Sequence, residues 1–230
     1  MTIEIDIWQG NAMADDDAYP HFWRLLDENE RAQAEKMKGL LQHKRYVEIH
    51  ARLRQLLSPL LNLTPEKIRI DKTEFGKPYL VDHPEWVFNL SHSGSAFLIA
   101  ITNQCQLGVD IELCKPRADF SSLVKKCFAE QERDYWQQLP DNQKITEFYR
   151  FWTRKEAFVK ATGRGLALGL KQCVVNPQQP SEFLSIPVDC GLPSTWQIVD
   201  IGTGQDFCSA LVTDKVISAV QVKNLNDFSL

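Results

Sequence analysis

The order in which hydrophobic periodicity changes along the chain is its strongest constraint on fold. Over residues 19–61 the side chains of Leu25, Leu26, Leu40, Leu41, Tyr46, Ile49, Leu53, Leu56 and Leu57 recur at helical spacing, with Pro59 and Pro65 marking the exit. From Lys67 the period shortens. Ile68 and Ile70 alternate, Phe75-Gly76-Lys77-Pro78-Tyr79 is a turn signal, and residues 87–90 and 97–102 read as strands. Asn103-Gln104 then separates two apolar runs as a hairpin would, and residues 106–113 alternate. Residues 121–139 and 147–161 return to helix, the second stopped by Thr162-Gly163-Arg164-Gly165, and strands are expected at 197–201, 207–212 and 216–222. Helices and strands in blocks, without regular alternation, predict an α+β fold rather than a doubly wound α/β sheet. At 230 residues and 43% hydrophobic content, such a fold can bury a core without staples.

Charge and cysteine usage narrow the function. A net charge of −4 argues against a nucleic-acid partner, which needs a concentrated basic face, so an anionic ligand must be met locally. The start, Met1-Thr2-Ile3-Glu4-Ile5-Asp6-Ile7, lacks the basic and apolar segments of a signal peptide, and the longest apolar run, residues 96–101, is too short to span a bilayer. A cytoplasmic protein without membrane contact is expected. The six cysteines are scattered with no C-x-x-C pair, which signals neither a zinc knuckle nor a disulfide framework.

Three segments carry candidate chemistry. In the strand over 106–113, Leu107, Val109, Ile111 and Leu113 share one face, while Gly108, Asp110 and Glu112 share the other. Two carboxylates so placed repel unless a cation or a lysine lies between them, and Gly108 leaves room for a bulky ligand; a solvated strand face gives the same pattern. In the helix over 147–161, Phe148, Phe151, Trp152, Phe158 and Val159 form an apolar arc with Lys155 in its middle, so Lys155 must reach a buried partner or a ligand. Glu156 and Lys160 lie one turn apart on its flank, as an ordinary i,i+4 pair or as a metal ligand and a phosphate-binding lysine. In Phe88-Asn89-Leu90-Ser91-His92-Ser93-Gly94 a strand ends in small polar groups able to donate to a phosphate; no acid or cysteine at triad spacing makes Ser91 or Ser93 a nucleophile. Arg45, Arg52 and Arg54 read as solvated charges or as a phosphate clamp.

Taken in order and spacing, Gly76-Lys77-Pro78, Phe88-Asn89-Leu90-Ser91-His92-Ser93, Gly108-Val109-Asp110-Ile111-Glu112 and Trp152-x-x-Lys155-Glu156-Ala157-x-x-Lys160 resemble the Sfp-type 4′-phosphopantetheinyl transferases. The resemblance implies a monomer built as a pseudo-two-fold pair of similar α+β subdomains, residues 1–103 and 104–230, with coenzyme A in the cleft between them. It implies Mg²⁺-dependent transfer of phosphopantetheine from coenzyme A to a serine of an apo acyl or peptidyl carrier protein. By the same resemblance Asp110, Glu112 and Glu156 would hold Mg²⁺, Glu156 and Lys160 would be catalytic, and Arg45, Lys77, Ser91, His92, Asp110, Lys155 and Lys160 would bind coenzyme A. Some family members carry two lysines ahead of Arg45; here residues 27–33 offer only Arg31 among acids, and Lys36 and Lys38 are out of register. Lys115, Arg117, Lys125, Lys126 and Arg164 are either a docking patch for an acidic carrier or a solvated face.

Overall fold

Two strand–helix–strand–strand units of the same topology account for most of the structure, a computed structural model that describes residues 3–225. The first has β1 (Glu4–Asn11), α1 (Tyr19–Leu25), α2 (Glu28–Glu35), α3 (Leu40–Leu61), the short hairpin β2 (Ile70–Lys72) and β3 (Pro78–Leu80), then β4 (Val87–Ser93) and β5 (Ala96–Thr102). The second has β6 (Leu107–Leu113), α4 (Phe120–Cys127), α5 (Glu130–Gln138), α6 (Asp141–Thr162), the small pair β7 (Val174–Val175) and β8 (Phe183–Ser185), then β9 (Gln197–Asp200) and β10 (Phe207–Thr213). A last strand, β11 (Ala219–Asn224), returns to the first unit. Sheet order is β1-β5-β4 in one unit and β6-β10-β9 in the other, all antiparallel, and β11 adds in parallel outside β1. Each sheet is covered by a 22-residue helix, α3 or α6. The fold is α+β, and the internal repeat lies in topology rather than in any visible sequence period. Residues 1–2 and 226–230 of the two expected subdomains lie outside the described residues.

Alternation along the strands assigns each face to a core. Phe97, Ile99 and Ile101 of β5 pack with Ile49, Leu53 and Leu57 of α3, whereas Leu98 and Ala100 meet Leu107, Val109 and Ile111 of β6 in a second core between the sheets. The apolar arc of α6 forms a third core, with Phe148, Phe151 and Phe158 buried; each such side chain contributes roughly 1.5–3 kcal/mol. This helix ends where Gly163 takes a left-handed conformation, φ 70°, and returns its N–H to the carbonyls of Val159 and Lys160. All six cysteines are free thiols.

Several boundaries differ from the sequence reading, each for a local reason. β5 and β6 are not a hairpin but belong to different sheets. The helical stretch 19–61 is three helices, broken by a capping box in which the Asp27 side chain accepts the Glu30 N–H while Glu30 accepts the Asp27 N–H. Pro59 sits inside α3, which runs on to Leu61 and closes at Asn62 in the left-handed region. The expected helix 121–139 splits at the buried Phe128, because the Glu132 carboxylate takes the Ala129 N–H at 2.7 Å and starts a new helix there. β1 alternates through Ile5 and Ile7, both fully buried, where the sequence reading assigns no strand.

Candidate active site

The strand face carrying Asp110 and Glu112 lies against α6 rather than in solvent. Gly108 makes this contact possible, since a Cβ there would run into the carbonyl oxygen of Ala157 and the amide nitrogen of Ala161. The space beside Gly108 is therefore filled by helix backbone, not left for a ligand as its absent side chain suggests. The consequence is that Lys160 comes down on β6. Its ammonium donates to Asp110 Oδ1 at 2.7 Å, Ser91 Oγ at 2.8 Å and the Val109 carbonyl at 3.2 Å. Ser91 Oγ also donates to Asp110 Oδ1 at 2.8 Å, and Ser93 Oγ to Glu112 Oε2 at 2.9 Å.

Five of the expected residues, Ser91, Asp110, Glu112, Glu156 and Lys160, thus meet at the junction of the two units. Burial and the Asp110 charge push Glu156 up to about 7, and burial followed by the same neighbour raises Glu112 as well. Burial and then the positive charges of Lys160, His50 and Arg45 lower the His92 imidazole, with Asp110 opposing them. Lys77 reaches across from the β2–β3 turn and donates to the Ala161 carbonyl at 2.7 Å near the end of α6, with burial bringing its ammonium down to about 8. Lys155 does not join this group. It is fully buried on the other side of α6, held by Glu132 at 2.6 Å and by the carbonyls of Leu170, Cys173 and Cys127.

A cavity of about 680 Å³ adjoins the cluster, walled by α2, α3, the β2–β3 hairpin and β4 on one side and by Glu156, Val159 and Lys160 on the other. Its walls include His50, which sequence reasoning did not name, and Tyr46 and Phe75, which it read only as part of a helical stripe and of a turn. Arg54, read as a solvated charge or part of a phosphate clamp, is instead fully buried against Asp27 and Glu30. Arg52 pairs with Glu48.

The donor set suits a hard cation. Asp110 Oδ2 is buried without a hydrogen-bond partner among the described residues, and its charge adds to burial in raising the proton affinity of Glu112 and Glu156. No three His, Cys, Asp or Glu side chains among the described residues are drawn together as a ready metal cage. A cation that keeps several non-protein ligands does not require one.

Comparison with known proteins fits this geometry. A family described as "4′-phosphopantetheinyl transferase superfamily" matches residues 106–213, and one described as "4′-phosphopantetheinyl transferase, N-terminal" matches residues 13–104. The chain belongs to the 4′-phosphopantetheinyl transferase superfamily, a superfamily of transferases. It is 31% identical to the 4′-phosphopantetheinyl transferase HetI of Nostoc sp. over 84% of this chain and 86% of HetI. A Synechocystis sp. protein provisionally named a 4′-phosphopantetheinyl transferase is 32% identical over 84% of this chain and 80% of its own. The 4′-phosphopantetheinyl transferase Sfp of Bacillus subtilis is 32% identical over 56% of this chain and 57% of Sfp.

Proposed function

We propose that this protein moves 4′-phosphopantetheine from coenzyme A to a serine of an apo acyl or peptidyl carrier protein, with Mg²⁺, releasing adenosine 3′,5′-bisphosphate. The observation that carries the reading is the meeting of Asp110 and Glu112 on β6 with Glu156 and Lys160 on α6, beside a cavity large enough for a nucleotide. Asp110, Glu112 and Glu156 would hold Mg²⁺, which when bound supplies charge neutralisation to the diphosphate.

The remaining chemistry falls to the chain's own groups. The carrier serine oxygen bonds to the phosphorus next to pantetheine as the bond from that phosphorus to the bridging oxygen breaks. A Glu156 carboxylate oxygen accepts the hydroxyl proton. The Lys160 ammonium faces the negative charge that develops on the departing oxygen. Arg45, Ser91, His92 and the chain around Lys77 receive the nucleotide end. Lys155 supports the helix from within the core. Among the exposed basic residues, Lys115, Lys125 and Lys126 are offered to an acidic carrier, while Arg117 pairs with Asp119 and Arg164 with Asp189. The reading carries with it a monomer in the cytoplasm; no helix among the described residues is long and apolar enough to cross a membrane.

Intact-protein mass spectrometry tests it. Apo carriers incubated with this protein, coenzyme A and Mg²⁺ should gain the mass of one phosphopantetheine, and EDTA should stop the gain. No gain on any carrier, with coenzyme A still bound, would turn the reading into that of a silent binding module.

A further inference from the structure

The outer edges of the two sheets are finished differently. β1 has its outer edge paired with the backbone of β11. The equivalent edge of β6 meets side chains instead. The N–H groups of Val109, Ile111 and Leu113 donate to Asn89 Oδ1 at 2.8 Å, Ser91 Oγ at 3.4 Å and Ser93 Oγ at 3.1 Å, each across a sequence offset of 20. Alternate residues of β4 thus run along β6 as a ladder of side-chain acceptors, satisfying amides that a neighbouring strand would otherwise take.

This ladder has a second output. A hydroxyl can accept one hydrogen bond and donate another. Ser91 accepts from Ile111 and donates to Asp110; Ser93 accepts from Leu113 and donates to Glu112. The geometry assigns Ser93 as a positioning residue: its backbone bond fixes the hydroxyl, so that the O–H holds one Glu112 oxygen and would orient the carboxylate for cation binding. Ser91 is shared with Lys160, whereas Ser93 serves Glu112 alone among the hydrogen bonds of the described residues. Ser93 touches neither the ion nor the reacting atoms in this assignment. The inference rests on the metal-site reading above.

Mn²⁺ binding followed by electron paramagnetic resonance in the presence of coenzyme A tests it, using wild type, Ser93→Ala, Ser93→Thr and Asp110→Asn. Ser93→Ala should weaken Mn²⁺ binding about tenfold, and Ser93→Thr, which keeps the hydroxyl, should restore it to within about twofold. The Mg²⁺ concentration for half-maximal transfer should move with the Mn²⁺ affinity, while the KM for coenzyme A stays put. Wild-type affinity in Ser93→Ala, with binding lost in Asp110→Asn, would overturn the role of Ser93 and leave the metal site standing. Equal weakening in Ser93→Ala and Ser93→Thr, with matching losses of thermal stability, would reduce Ser93 to a packing residue. No Mn²⁺ binding by wild type would remove the metal site itself, and the assignment with it.

Discussion

Lys155 and Lys160 leave the same helix on opposite sides, and each lands on a carboxylate. Lys155 is sealed in the core, where Glu132 and three backbone carbonyls take its ammonium, and the Glu132 carboxylate in turn accepts the N–H groups of Ala129 and Val175. Burial lowers the lysine and raises the glutamate, each opposed by its partner. Lys160 is half-buried at the wall of the cavity, and one oxygen of its partner Asp110 has no hydrogen-bond partner among the described residues. A closed pair with all its hydrogen bonds made holds α4, α5 and the segment before β7 onto α6. An open pair with a spare oxygen and two further carboxylates beside it has capacity left for a ligand.

The sharpest way to break this contrast is to neutralise the open side. Asp110→Asn and Glu156→Gln should each reduce transfer by at least about a thousandfold while far-ultraviolet circular dichroism and melting temperature stay near wild type. A rate within about tenfold of wild type, read from the appearance of holo-carrier by mass, would break the assignment.

On the closed side the loss should fall on folding. Lys155→Met strands Glu132 in the core and is expected to cost about 3–5 kcal/mol in urea unfolding, with part of it recovered when Glu132→Gln is added. A cost below about 1 kcal/mol would mean the pair is not the structural hub its geometry indicates.

Lys160→Met sharpens the comparison from the other direction. Transfer should slow about a hundredfold, with a smaller loss of stability than Lys155→Met in the same urea titration.

The smallest effect is in pH. In the proposed metal site only the deprotonated Glu156 could be a ligand, and burial with the Asp110 charge places it at about 7. Protons therefore compete with the cation as pH falls through that value. Mg²⁺ affinity by isothermal titration calorimetry should weaken about tenfold from pH 8 to pH 6, and Glu156→Gln should flatten that dependence.

Much of this was legible without coordinates. Alternation put Asp110 and Glu112 on one strand face, helical spacing put Lys155 inside an apolar arc and Glu156 with Lys160 on its flank, and block order gave the α+β class. These are local facts of backbone geometry, with periods of two and 3.6 residues. The Asp27-x-x-Glu30 capping box that marks the break between α1 and α2 was not read from the sequence, where 19–61 reads as helical throughout.

Other features depended on segments far apart in the chain. The Glu132 carboxylate that caps α5 at Ala129 is also the partner of Lys155, 23 residues on. Gly108 matters for the helix backbone that fills the space beside it, not for the room it leaves. β5 and β6 are separated by four residues yet enter different sheets, while β11 crosses over 200 residues of sequence to pair with β1. Residue type and spacing by themselves determined which groups were candidates for the site. Only tertiary packing decided that Lys160 reaches Asp110 while Lys155 does not reach the cavity, because a side chain's partners are set by what the rest of the chain packs around it.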